Sequence, residues 1–223
     1  MINPSQTIKE ISAELPEGVR LVAVSKYHPA SLIKDAYNGG QRIFGESRVQ
    51  ELQEKYDILP KDIEWHFIGH LQTNKVKYLA PYVSMIHAID SHHLLCEVNR
   101  RAAENERTID CLLQLHVAHE ETKFGFSRQE LIDYLEKGEW RQLHSVHICG
   151  LMCMASNVDD GSQIEAEFAL AYNTYKEIKD KYFAKDPSFC ERSWGMSHDY
   201  KIALRNGSTL IRVGSKIFGE RVY

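Results

Sequence analysis

Short apolar runs alternate with longer amphipathic segments along the whole chain. The runs are rich in Val, Ile, Leu and Phe and are nearly continuous, which is typical of strands in a parallel sheet that is buried on both faces. Eight such runs lie at residues 20–26, 42–46, 65–69, 84–90, 110–117, 145–154, 192–196 and 209–214. The pattern therefore predicts eight parallel strands.

The segments between the runs have the spacing of helices. Apolar side chains recur at steps of three and four residues, which places them on one helix face. The longest such face comprises Ile164, Phe168, Ala171, Tyr175, Ile178 and Tyr182, and a second comprises Leu94, Val98 and Ala102. Capping boxes predict helix starts at Ser47 with Gln50, Ser127 with Glu130, and Ser162 with Glu165. Gly207 predicts a helix end.

Strict alternation of strands and helices implies a parallel sheet. Eight units in 223 residues predict an α/β fold, a single (β/α)8 TIM barrel with short loops, because such barrels typically need about 250 residues. A doubly wound open sheet is the alternative, and the pattern alone does not separate the two.

Composition narrows the classes of function. The chain is 43% hydrophobic and 26% charged, which is typical of a globular protein, and its formal net charge of −4 argues against nucleic acid as a partner. No apolar stretch approaches the roughly 18 residues of a membrane span. Residues 1–5 show no start of a secretory signal. The odd count of five cysteines favours reduced thiols in the cytoplasm, and the pair Cys149 and Cys153 alone does not indicate a zinc site.

Active sites of such barrels lie at the carboxyl ends of the strands. Lys26 closes the first apolar run, where desolvation would lower its pKa and free the amine for Schiff-base chemistry. The alternative is a lysine that extends from the strand end into water. Position alone does not decide between these interpretations.

Small and hydroxyl-bearing residues follow the last two strands. The segments 195–199 and 213–216 contain Ser197, Gly214 and Ser215, whose hydroxyl and backbone N–H groups can bind phosphate oxygens. Loops after strands 7 and 8 are the frequent phosphate site of these barrels. Two ordinary turns are the alternative.

Arg212 shares a strand face with Gly214 and is predicted to point into the barrel. A buried arginine requires a partner, which could be a carboxylate, the ring nitrogen of a cofactor, or Glu46. The histidines of strands 3 to 5, His66, His87 and His116, raise the alternative of a metal-dependent hydrolase, with His119 and Glu120 as further ligands. No His-x-His pair ends the first strand, so the sequence predicts no metal site.

Six motifs in this order carry a resemblance to a known family. They are AVSK at 23–26, FGESRVQE at 44–51, WHFIGHLQTNK at 65–75, GLM at 150–152, GMSHD at 195–199 and RVGSKIFGER at 212–221. Together they resemble the pyridoxal 5′-phosphate (PLP) homeostasis protein family, which is similar to the N-terminal barrel of alanine racemase. The resemblance spans almost the whole chain and implies one PLP-binding barrel domain over residues 1–223.

The resemblance also implies roles for individual residues. Lys26 would hold PLP as a Schiff base, and Arg212 would face the pyridine nitrogen. The phosphate would be held by Ser197, Gly214 and Ser215, and the pocket would be lined by Val24, Ser47, His66 and Met152. Ser47 stands where the family usually has asparagine, which puts one pocket hydrogen bond in doubt. Ser215 stands where threonine is common and keeps the hydroxyl.

Two functions follow from the resemblance. The first is a cytoplasmic, monomeric PLP carrier without catalytic residues, which buffers PLP and delivers it to apo-enzymes. The second is a PLP-dependent amino-acid racemase, for which Tyr27, His66 and His87 are candidate bases. The racemases that this barrel resembles close their site with a further β domain, and the few residues after the eighth strand are too short for one. The sequence therefore favours the carrier.

Overall fold

The computed structural model describes residues 3–118 and 124–220. Its eight strands form a closed parallel barrel in sequence order. The strands are β1 (Arg20–Val24), β2 (Ile43–Glu46), β3 (Glu64–Phe67), β4 (Met85–Ile89), β5 (Ile109–Gln114), β6 (Val146–Met152), β7 (Glu191–Ser193) and β8 (Leu210–Val213). The barrel closes where β1 pairs with β8, with Ala23 beside Val213. This closure confirms the predicted TIM barrel and excludes the open sheet.

One α-helix follows each strand in the described residues, and an additional α-helix precedes β1. Two 3-10 helices, Thr73–Lys75 and Glu139–Gln142, lie in the connections after β3 and β5. The α-helices are α1 (Pro4–Glu14), α2 (Ala30–Asn38), α3 (Val49–Ile58), α4 (Val76–Leu79), α5 (His92–Glu104), α6 (Arg128–Lys137), α7 (Gly161–Tyr182), α8 (Tyr200–Arg205) and α9 (Ser215–Phe218). The two predicted apolar faces lie on α7 and α5, and most of their side chains are buried. Every helix in the described part of the chain is too short or too polar to cross a membrane.

One of the three predicted capping boxes is confirmed. Ser127 and Glu130 exchange the expected hydrogen bonds at the start of α6. The prediction at Ser162 is wrong, because the carboxylate of Asp160 accepts from two backbone N–H groups and starts α7 earlier. The prediction at Ser47 is also wrong, because α3 begins after Arg48 without a side-chain cap. Gly207 does follow α8, with the left-handed φ of 76° that favours glycine.

Alternation along the strands separates two layers of side chains. One set packs between the strands and the helices and forms the larger apolar core. The other set packs within the barrel and comprises Val22, Met85, Ala88, Leu112, Cys149, Met152 and Leu210. The barrel is therefore filled by side chains, and sites for ligands remain at its two mouths.

Candidate functional site

A cavity of about 360 Å³ lies at the carboxyl ends of the strands. Its volume is within the range of small-molecule sites. Six of the nine site residues singled out from the sequence line it: Val24, Lys26, Ser197, Arg212, Gly214 and Ser215. They come from the ends of β1 and β8 and from the loop after β7. Pairing of β1 with β8 explains why residues so far apart in sequence meet here.

The backbone on both sides of Lys26 is held firmly. Ser25 donates its hydroxyl to Glu46 Oε1 at 2.6 Å, and its carbonyl accepts from Lys55 Nζ at 2.8 Å. On the other side, Tyr27 N–H donates to Glu51 Oε1 at 2.5 Å, and Tyr27 has a left-handed φ of 67°. A non-glycine residue in this region is uncommon and costs conformational energy. The fold therefore fixes the direction in which the Lys26 side chain leaves the strand.

A buried ion pair supports this segment. Lys55 Nζ lies 2.6 Å from Glu46 Oε1 and 2.7 Å from Glu51 Oε1. Burial raises the pKa of Glu46 to about 7, although Lys55 and Ser25 act in the opposite direction. Because Glu46 pairs with Lys55, the interpretation that Arg212 pairs with Glu46 is wrong. The Lys55 pairing was missed, although the spacing of Glu51 and Lys55 by four residues was a signal for it.

The two loops of the predicted phosphate site are bonded to each other. Gly214 N–H donates to Ser197 Oγ at 3.1 Å, which joins the loop after β7 to the start of α9. Asp199, which is buried, accepts from Met196 N–H at 2.5 Å and fixes the turn around Ser197. The hydroxyls of Ser197 and Ser215 and nearby backbone N–H groups thus lie along one wall of the cavity. This wall suits an anion.

Gly195 makes that turn possible, and its replacement gives a test. It has a φ of 92°, and a Cβ there would lie 2.6 Å from Ala203 Cβ and 2.9 Å from Tyr200 Cα. We expect Gly195→Ala to lower the free energy of unfolding by about 2–4 kcal/mol, because strain and overlap with packed atoms add. Urea unfolding measures the change. Gly161→Ala is the matched control, because a Cβ there meets only an ordinary contact at 3.8 Å. Equal stability of the two variants would contradict the expectation.

Arg212 is buried, and its guanidinium donates hydrogen bonds to residues at the ends of β6 and β7. Nη1 donates to the carbonyl of Ser193 at 2.7 Å and to its Oγ at 2.6 Å, and Nη2 donates to the carbonyl of Cys153 at 2.9 Å. These contacts use three of the five N–H groups of an arginine. The guanidinium also forms part of the cavity wall. It can therefore donate to a ligand without giving up its anchors.

A chain of hydrogen bonds continues from Arg212 through the barrel interior. Ser193 Oγ lies 2.9 Å from His87 Nδ1, and His87 Nε2 lies 2.9 Å from His66 Nδ1. Arg212 donates to Ser193, and the direction of the two bonds beyond Ser193 depends on which ring nitrogen of each histidine carries the proton. Burial lowers the pKa of His66 to about 3 and that of His87 well below its usual value, so both rings are neutral. The chain is therefore a set of neutral groups beneath the Arg212 guanidinium.

Three site residues singled out from the sequence do not line the cavity. His66 belongs to the interior chain, Met152 packs in the inner layer of the barrel, and Ser47 lies at the end of β2 with its backbone against Gly69. The cavity is instead completed by His28, Ile68, Met154, Asn157, Met196, His198 and Gly219. Ile68, Met196, His198 and Gly219 belong to the quoted motifs. His28 and Asn157 lie in loops that gave no signal.

The histidines of the alternative metal site have other surroundings. His66 and His87 bond to each other, so they do not form an open ligand set. His116 is partly buried near the end of β5, and His119 and Glu120 lie outside the described residues.

Comparisons with known proteins agree with this architecture. The family "Alanine racemase, N-terminal domain" matches residues 5–222 of this chain. The pyridoxal phosphate homeostasis protein of Aquifex aeolicus is 38% identical over 92% of this chain and 88% of its own length. The structure of PipY from Synechococcus elongatus without PLP is 35% identical, has a TM-score of 0.90, and covers 96% of this chain and 99% of that one. PipY with PLP bound has a TM-score of 0.87 and covers 97% of this chain and 100% of that one.

The chain therefore belongs to the alanine racemase N-terminal domain family, and within it to the pyridoxal phosphate homeostasis proteins. This confirms the resemblance inferred from the six motifs.

Proposed function

We propose that this protein binds PLP in the cavity at the carboxyl ends of its strands and serves PLP homeostasis. The observation that carries the proposal is the meeting of Lys26, Arg212 and the Ser197–Ser215 wall around one cavity. The relative PipY has a structure with PLP bound at 35% identity over nearly the whole chain, which supports the same ligand here. Lys26 is the residue that we propose holds the aldehyde as a Schiff base.

The residues fit the parts of PLP. The phosphate group needs several donors, which the hydroxyls of Ser197 and Ser215 and the N–H groups of their loops can supply. The pyridine nitrogen accepts one hydrogen bond, which Arg212 can donate. When bound, PLP supplies an aldehyde carbon that an amine can hold reversibly. Lys26 is the amine that lines this cavity from the end of β1.

The surroundings of Arg212 support a carrier over a racemase. A guanidinium has no lone pair and does not give up its proton, so it holds the ring nitrogen unprotonated and weakens the ring as an electron sink. Racemisation also needs proton donors and acceptors at the cofactor. Two of the three candidate bases, His66 and His87, bond to each other in the barrel interior and do not line the cavity.

Chemical trapping tests the proposal directly. The protein is mixed with PLP, reduced with borohydride and digested, and the modified peptide is identified by mass spectrometry. Borohydride reduces the C=N bond to an amine and so fixes the cofactor to its lysine. We expect saturable labelling at Lys26. Labelling spread evenly over surface lysines would overturn the proposal.

A second measurement separates the two functions. The loaded protein is incubated with amino acids in deuterated water, and deuterium at the α-carbon is measured. A carrier leaves the α-hydrogen in place, whereas a racemase exchanges it. We also propose transfer to apo-enzymes, measured as recovery of activity when an apo-enzyme meets the loaded protein. Efficient deuterium exchange would favour the racemase.

A further inference from the structure

The opposite mouth of the barrel holds a second cavity. It has a volume of about 270 Å³ and is lined by residues at the starts of several strands, among them Arg20, Glu64, Asp110, His147 and Cys149. Arg20 is paired with Glu191 at 2.6 Å, which leaves the acidic groups of Glu64 and Asp110 to set the local charge. The cavity therefore favours a cation. It lies at the other end of the barrel from Lys26.

Strand register brings three different ligand types together in this cavity. Asp110 on β5 is the direct neighbour of His147 on β6. Cys149 is two residues further along β6 and so shares the face of His147. One ligand atom from each of the three side chains lies within 4.8 Å of the others. An oxygen, a nitrogen and a sulfur ligand thus converge, with Cys149 buried and the other two partly exposed.

Hydrogen bonds orient the ring of His147 so that one of its nitrogens faces Asp110. The hydroxyl of Ser188 donates to Asp186, and this bond lowers the pKa of the Asp186 carboxyl. Ser188 Oγ lies 2.6 Å from His147 Nε2 and has no second proton, so Nε2–H must donate to it. The other ring nitrogen, Nδ1, lies 2.8 Å from Asp110 Oδ1. A metal ion bound by both side chains would replace this direct contact, because each zinc bond to nitrogen or oxygen is about 2 Å long.

We propose that Asp110, His147 and Cys149 bind a Zn²⁺ ion at the amino-terminal mouth of the barrel. A thiolate, an imidazole and a carboxylate are zinc ligands, whereas Mg²⁺ and Ca²⁺ take oxygen ligands. Binding displaces the proton of the Cys149 thiol to solvent and replaces the weak contact of Sγ with the carbonyl of Cys111 at 3.6 Å. The charges of the carboxylate and thiolate balance the ion.

The neighbours of the three ligands suit this arrangement. A histidine ligand usually donates its other N–H to an oriented acceptor, as His147 does to Ser188. Three protein ligands leave the fourth position of a tetrahedral ion open toward the cavity for water. The sequence did not reveal this set of ligands. The cysteine pair that the sequence offered, Cys149 and Cys153, contributes only Cys149 to it. The ligands come from two strands and meet only through the register of the barrel.

Co²⁺ is the probe for the experiment, with Zn²⁺ as competitor. The PLP-loaded protein is stripped of metal by a chelator and then titrated with Co²⁺. Four-coordinate Co²⁺ absorbs red light, at longer wavelengths than PLP, so its binding can be measured while PLP is present. We expect wild type to bind stoichiometric Co²⁺ that Zn²⁺ displaces. Cys149→Ser should lose this binding, and Ser188→Ala should weaken the Zn²⁺ affinity by about 10- to 100-fold. Cys96→Ser, on α5 beside His92 at 3.2 Å, is the control for a thiol near a histidine elsewhere.

The outcomes are distinct. Unchanged affinity in Cys149→Ser, or loss in Cys96→Ser instead, would overturn the proposal, as would only weak six-coordinate binding by wild type. Absorption of bound PLP at the other mouth reports whether each variant is folded. If Cys149→Ser does not fold, His147→Gln replaces it with the same expected loss, because His147 is partly exposed. Failure of zinc binding leaves PLP binding untouched, so the two proposals fail separately.

Discussion

Replacing Lys26 with alanine is expected to abolish the visible absorption band that PLP gives with the wild-type protein. The band requires a covalent link to an amine, and Lys26 is the amine that β1 brings into the cavity. The phosphate wall and Arg212 remain in the variant, so noncovalent binding should persist at an affinity weaker by tenfold or more, with about 1.4 kcal/mol for each factor of ten. Absorption titration and fluorescence-monitored binding measure the two effects.

The matched control for this experiment is Lys9→Ala on α1. Lys9 is exposed and lies on a helix that does not contribute to the cavity. This variant removes one amine of the same type and should keep the band and the affinity of wild type. A saturable band in Lys26→Ala equal to that of Lys9→Ala would show that the link forms at another lysine.

Local patterns were sufficient to predict the barrel. Most strands are short, largely apolar and buried runs, and the amphipathic segments between them make the helices, so the order of elements follows from neighbouring residues. The exception is β7, which comprises the polar residues Glu191–Ser193. The strand ends were less well defined. The predicted run 145–154 is longer than the strand β6 that the structure shows, which is Val146–Met152. Cys153 and Met154 already belong to the loop that passes the cavity.

The sequence likewise predicted one part of the candidate site and missed another. Lys26, Ser197 and Ser215 were found because a strand end followed by a small polar loop is a local signal. The support of Arg212 was not found, because Ser193 and His87 are 106 residues apart in sequence and meet only inside the closed barrel. The start of α7 was misplaced for a related reason, since Asp160 competes with Ser162 for the same N–H groups and the carboxylate is the stronger acceptor.

The buried pair His66 and His87 should make the protein sensitive to acid. Burial lowers the pKa of His66 from 6.5 to about 3 and lowers that of His87 in the same direction. Between these values the unfolded chain carries more protons on these two rings than the folded one, so their contribution to the free energy of unfolding falls as the pH falls below about 6.5. Glu46, whose pKa is raised to about 7, acts in the opposite direction, so the histidine contribution is measured as a difference between variants. His66 alone should cost about 2 kcal/mol between roughly pH 7 and pH 5, and His87 acts in the same direction.

Urea unfolding of His87→Gln across this pH range tests the expectation. The amide does not titrate, so the variant should start less stable near pH 7 but should lose less stability than wild type on acidification. His93→Gln is the control, because His93 is an exposed histidine on the outer helix α5 and should retain the wild-type slope. The same slope in all three proteins would mean that the buried rings do not resist protonation. A reduced slope only in His87→Gln would show that the neutral rings beneath Arg212 make the protein sensitive to acid, because protonation of either ring places a charge in the barrel interior.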